Sequence, residues 1–180
     1  MKYVSENTGF SLLEIIVVMA IIGIMAAVFV PGQSKNRDKK ALILETERVV
    51  NDIRNARSYT FNTTSFNGSG PPAGGFGIHF DKDSNSYIIF ADKNLPLDRA
   101  YSGASEKYQE ITLADGIEIS DLEINDAPLP PAVPADIVFT SPYGVTYING
   151  SKVAPRELEI TVTGSAGSRT VTVDVSGRIN

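Results

Sequence analysis

The stretch "GFSLLEIIVVMAIIGIMAAVFVPG", residues 9–32, decides how the rest of the chain is read. From Phe10 to Val30 it would span about 31 Å as a helix at ~1.5 Å per residue, the thickness of a bilayer core. Glu14 is its only charged residue, and no other follows until Lys35. The run "IIVVMAIIGIMAAVFV" is apolar on every face, as expected of a membrane helix and not of a helix lying on a globular surface. A cleaved secretory signal has a shorter apolar region, roughly 7–15 residues, and a small-x-small cut site after it. The following "AAVFVPGQS" offers no such site. The run closes on Pro31-Gly32, a pair that should kink or locally unwind a helix.

Working outward, residues 1–9 are short, polar and aperiodic, and residues 10–31 form the apolar span. Residues 32–60 read as an amphipathic helix. Leu42, Thr46, Val49, Ile53, Ala56 and Thr60 recur at spacings of four and three, a narrow stripe that must face a partner. Arg48, Asp52 and Asn55 fall on other faces and are expected in solvent. From Phe61 to Asn180 the pattern changes. "NTTSFNGSGPPAGG" reads as a connector without core-forming content. Short strands and turns follow: "FGIHF" and "SYIIFA" around "DKDSN", "EITL" and "IEISDLEI" around "ADG", and "DIVFT" and "VTYI" around "SPYG". "RELEITVT" and "RTVTVDV" make a period-two hairpin with Leu158, Ile160 and Val162 on one face. The expected fold class is α+β: a long N-terminal helix whose second half packs on an antiparallel β-sheet domain.

Charge divides along the same line. Residues 1–60 carry eight Lys/Arg and six Asp/Glu, and residues 61–180 carry eight and fifteen, so the C-terminal portion has a net charge of −7. That makes it a poor partner for a polyanion, and nucleic acid is not expected as a ligand. There is no cysteine, which excludes disulfides and thiolate metal sites.

The "GFSLLE" opening, with its short polar leader, apolar span and late proline, resembles the class III signal of type IV pilins and pseudopilins. The resemblance implies that a membrane aspartyl (prepilin) peptidase cuts after Gly9 and N-methylates Phe10. It implies an inner-membrane, single-pass precursor with the leader inside and the C-terminal domain outside the cytoplasm. That precursor then passes through an inner-membrane assembly platform into a periplasmic or cell-surface filament of pilin or pseudopilin subunits. Glu14 would pair there with the amine of a neighbouring Phe10. Physically, a carboxylate in mid-membrane costs roughly 2.5–3.5 kcal/mol, less near an end, and needs a partner. A cationic amine at ~4 Å attracts it by about 4 kcal/mol at an effective dielectric of ~20, before desolvation. The basic flank of Lys35, Arg37, Lys39 and Lys40 would by itself argue for the opposite topology.

A second likeness lies further on. "IRNARSYT", "GFGIHFD" and "VDVSGRIN" are similar to the GspH/FimT group, with Arg57, Gly77, Gly177 and Arg178 at the matching positions. This implies a minor pseudopilin of a type II secretion pseudopilus, with a minor type IV pilin serving pilus assembly or DNA uptake as the alternative. In either case the chain is a structural subunit without a cofactor or catalytic role.

Other candidate sites carry less. Asp81, Asp83, Asn85 and Asp92 lie near the ligand positions of a calcium loop, but Ser86 replaces the glycine and strand flanks favour a plain hairpin turn. His79, the only histidine, alternates with Ile78 and Phe80 and is expected on a solvated sheet face. Asp136 reads as a turn acid, and Tyr143 and Tyr147 as strand packing, with a recognition surface as the alternative. Arg169 and Arg178 are the candidates for a DNA contact.

Overall fold

The computed structural model describes residues 10–29 and 31–180, with side chains for all of these except 27–34. The chain divides into two compact units, Met1–Arg37 and Asp38–Asn180. In the first, helix α1 runs over Leu12–Phe29. Its start is the S-x-x-E pattern of Ser11 and Glu14, in which the Ser11 carbonyl accepts the amides of Glu14 and Ile15 at 3.0 and 3.3 Å. Helix α2, Pro31–Phe61, begins on a proline, whose missing N–H costs nothing at a first helical position.

From Asp38 onward α2 belongs to the second unit, and there its stripe is the spine of the core. Leu42, Thr46, Val49, Ile53, Ala56 and Thr60 are all buried, as their spacing requires. The two threonines are tolerated because their hydroxyls donate back to the carbonyls of Leu42 and Ala56 at 2.7 and 3.2 Å. Thr60 also stitches helix to sheet, since its hydroxyl accepts the Phe76 amide at 2.9 Å and lies 3.2 Å from the Phe139 carbonyl. Past Phe61 the helix is closed off by Thr63, whose φ of 49° is left-handed, with the Thr64 amide returning to the Tyr59 carbonyl.

The strands are β1 (Phe76–Phe80), β2 (Ser86–Ala91), β3 (Lys107–Thr112), β4 (Glu118–Ile124), β5 (Ala127–Pro128), β6 (Ala135–Thr140), β7 (Val145–Ile148), β8 (Glu157–Gly164) and β9 (Gly167–Asp174). They make an antiparallel α+β domain, but with two sheets where one was expected: β3-β2-β1-β6-β7 and β5-β4-β8-β9. The corner is "ADG". Strand β3 pairs with β2, and β4 pairs with β8, so this turn does not close a hairpin. Leu113 and Ile117 on either side of it are both buried, pinning the crossover into the core. The hairpins β1–β2, β6–β7 and β8–β9 form as read. Residues from α2 and from both sheets join one apolar cluster, including Ile53, Phe76, Ile119, Leu158, Ile160 and Val162.

The connector after α2 differs from its reading. Phe66 is buried in that cluster, its ring 6.4 Å from that of Tyr108. A single aromatic residue among glycines and serines supplies enough apolar area to hold the segment down.

Candidate functional site

Two regions hold the residues singled out from the sequence. In the first unit Phe10 precedes α1 and Glu14 sits in its first turn, where a carboxylate faces the positive end of the helix dipole. Both are exposed, and so are the apolar side chains from Leu12 to Met25 on every face. So much exposed hydrocarbon in one helix demands a covering partner. Among the described residues no helix is long and apolar enough to cross a membrane. The fully described part of α1, Leu12–Ala26, covers about 22 Å, short of a ~30 Å hydrocarbon core. Residues 1–9, and with them Gly9, lie outside the described residues, as do Val30 and the side chains of Pro31 and its neighbours.

This geometry of an acidic first turn on an all-round apolar helix coincides with a known pattern. Residues 5–30 match the family described as the prokaryotic N-terminal methylation motif. The chain carries a type IV pilin-like signal. A chain with this signal is processed by prepilin peptidase, is anchored in the membrane as a precursor, and assembles with other pilin-like subunits into a filament. No curated protein and no solved structure matches the chain significantly.

In the second unit two of the residues quoted for the GspH/FimT likeness, Arg57 and Gly177, meet in space. Arg57 Nη1 donates to the Gly177 carbonyl at 3.0 Å. Gly177 has a φ of 81°, and a side-chain carbon there would lie 3.1 Å from Thr146 Oγ1 and 3.2 Å from Arg57 Nη1. The turn is held from below by Asp174, which accepts the amides of Ser176 and Arg178 at 2.8 and 3.1 Å and the Ser176 hydroxyl. These hydrogen bonds, the Ser176 hydroxyl foremost, keep its carboxyl below the usual range. Gly77 has a packing role of its own: a side-chain carbon would come within 2.7 Å of the Phe90 ring.

The outer face of the larger sheet is covered where the sequence suggested solvent. The segment 92–106 lays Tyr101 over it, 4.8 Å from the His79 ring and 5.5 Å from that of Phe90. His79 is therefore buried, with Nδ1 2.8 Å from Asp136 and Nε2 3.3 Å from Asp81. Burial opposes the imidazolium, but the hydrogen bond and charge of Asp136, with help from Asp81, raise its pKa above the usual value. Asp136 is a β6 residue opposite His79, not a turn acid. No local signal marks that pairing, because the partners lie 57 residues apart.

The residues of the calcium-like pattern are set apart by the same geometry. Asp92 sits beyond the far end of β2 from Asp81, Asp83 and Asn85, fully buried, and its carboxylate is paired with Arg99 at 3.1 Å. Asp81 faces His79, and among the described residues no three acids or histidines gather where they could hold a metal ion. Asp52 also departs from its solvated reading, accepting the Tyr87 hydroxyl at 2.6 Å. Tyr147 packs under Arg99, whose guanidinium lies 5.2 Å from the ring centre, whereas Tyr143 is exposed at the β6–β7 turn.

Proposed function

We propose that the chain is a structural subunit, a minor pseudopilin of a type II secretion pseudopilus. The observation that carries this reading is the methylation motif running into a helix that is apolar on all faces. In this reading prepilin peptidase cuts between Gly9 and Phe10, and Phe10 is then N-methylated. Residues 10–31 are the membrane and filament-core segment, kinked at Pro31-Gly32, and residues 32–180 are held outside the cytoplasm. Glu14 pairs with the new amine of a neighbouring subunit, which sets the axial stagger. The convergence of Arg57 on Gly177 supports the GspH/FimT assignment, because the two resembling segments form one interaction. A minor type IV pilin is the second reading, favoured by the same contact.

The test is direct. Mass spectrometry of the mature protein should find an N-terminus at methylated Phe10, and Gly9→Leu should leave the full precursor. An intact Met1 N-terminus in cells with active peptidase would overturn the proposal. Co-purification with secretion-system rather than pilus subunits separates the two readings.

A further inference from the structure

We propose that Asn67 is a site of spontaneous covalent modification. Its side-chain amide is displaced by the main-chain nitrogen of Gly68, and the resulting isoaspartyl link loosens the connector after α2. This goes beyond the assembly role of α1 and does not depend on it.

The chain contains an internal comparison. Asn-Gly occurs twice, at Asn67-Gly68 and Asn149-Gly150, each time followed by serine. The two pairs adopt the same backbone, with φ of 49° and 74° at the first and 45° and 72° at the second. In each the serine amide returns to the carbonyl three residues back, Ser69 to Phe66 at 3.0 Å and Ser151 to Ile148 at 3.1 Å. Two left-handed residues closed by such a bond form a type I′ turn. Local sequence and backbone are therefore matched, and only the side chains differ. Asn149 is tethered at both ends of its amide, Oδ1 accepting the Asp136 amide at 2.7 Å and Nδ2 donating to the Pro134 carbonyl at 3.1 Å. Asn67 is exposed, and among the described residues its amide is bonded to nothing.

The reaction needs only hydroxide and water. The Gly68 nitrogen gives up its proton to hydroxide and attacks Cγ of Asn67. An N–Cγ bond forms, the Cγ–Nδ2 bond breaks, ammonia leaves, and a five-membered succinimide remains. Water then opens the ring. Opening at the former side-chain carbonyl gives aspartate, and opening at the main-chain carbonyl gives isoaspartate, whose main chain runs through Cβ and Cγ. Glycine leaves the attacking nitrogen unscreened, and the space around Gly68 is open, with nothing within 4 Å of where a side-chain carbon would stand. The same attack at Asn149 requires its Cγ to turn toward Gly150, which breaks both tethering hydrogen bonds.

The consequence follows from what the first turn holds. The Phe66 amide donates to the Gly70 carbonyl at 2.9 Å, the Phe66 carbonyl accepts Ser69, and the Phe66 ring is buried in the core. An isoaspartyl link adds one carbon to the main chain inside this closed loop and adds a carboxylate. The two hydrogen bonds can no longer both be kept, so the connector that Phe66 holds down opens locally while the sheets stay folded.

The experiment incubates the full chain in detergent micelles at mildly alkaline pH and follows the peptides around both Asn-Gly pairs by mass spectrometry. Chromatography against synthetic standards separates the aspartyl and isoaspartyl products. Asn67 should convert at least about tenfold faster than Asn149, the factor expected when hydrogen bonds must break first at one site only. In concentrated urea, which removes the tether, the two sites should convert at equal rates. Amide exchange at Phe66 and Ser69 should accelerate in the isoaspartyl product, whereas Asn67→Asp, which adds the charge without the extra main-chain carbon, should leave it unchanged. Equal rates at the two sites in the folded chain would overturn the proposal. So would an Asn67 that stays intact while the urea-unfolded chain converts, or an isoaspartyl product whose Phe66 and Ser69 exchange as before.

Discussion

Arg57, near the end of α2, reaches the carbonyl of Gly177 at 3.0 Å and so fastens the core helix to a turn 120 residues away. The contact closes the second unit: the helix that starts it and the segment that follows its final strand are joined by one charge-assisted hydrogen bond. Thr146 Oγ1 lies buried beside the same junction, with no hydrogen-bond partner among the described residues.

Arg57→Ala should therefore cost about 2 kcal/mol, the usual worth of a hydrogen bond from a charged donor. Gly177→Ala should cost about 1–2 kcal/mol through its left-handed backbone, on top of the close approach to Arg57. Urea midpoints of the full chain in detergent measure both. Amide exchange at residues 177–180 should accelerate in each variant more than exchange in β1.

The buried His79–Asp136 pair makes stability depend on pH. The folded-state pKa of His79 is raised above the unfolded value of about 6.5. Its contribution is thus fully present below about pH 6.5 and is lost as pH rises through the folded value. Unfolding midpoints taken from pH 5.5 to about 8.5 should fall across that window, and His79→Gln should flatten the slope. An unchanged slope in the variant would assign the pH dependence to other groups.

Arg99 compensates a carboxylate that has no exposed surface. Arg99→Met should cost about 3 kcal/mol at neutral pH, because Asp92 is left buried and unpaired. Burial already raises the Asp92 pKa, against the pull of Arg99. The penalty should shrink as acid protonates Asp92, and adding Asp92→Asn to Arg99→Met should recover most of the loss. Thermal unfolding of the two variants at two pH values tests the claim.

Glu14→Leu separates insertion from assembly. Removing the carboxylate makes the apolar run uninterrupted, so cleavage and membrane insertion should persist. If Glu14 pairs with a neighbouring amine as proposed, incorporation into the sheared filament fraction should fall severalfold, since an attraction of about 4 kcal/mol before desolvation would be lost. Normal incorporation would remove the ion pair from the account of assembly.

Much of this was legible in the sequence because it is written locally. The methylation signal is contiguous within residues 5–30. The α2 stripe repeats within a turn or two of helix, so six residues from Leu42 to Thr60 could be assigned to the core without knowing what covers them. The β8–β9 hairpin likewise needs only alternation and a tight turn.

Tertiary structure decided the rest, wherever a residue's surroundings come from distant chain. Alternation put His79 on the outer face correctly, but only the fold lays Tyr101 across that face and sets Asp136 opposite, turning a solvated imidazole into a buried ion pair. The "ADG" turn has hairpin chemistry, yet β3 and β4 each find a different partner strand and the turn becomes a corner between two sheets. Phe66 looks like a stray aromatic in a linker until Tyr108, from β3, comes to lie beside it. Periodicity and turn propensity act over a few residues. Burial, charge pairing and strand partnership depend on which segments the folded core brings together, and the sequence by itself does not state that.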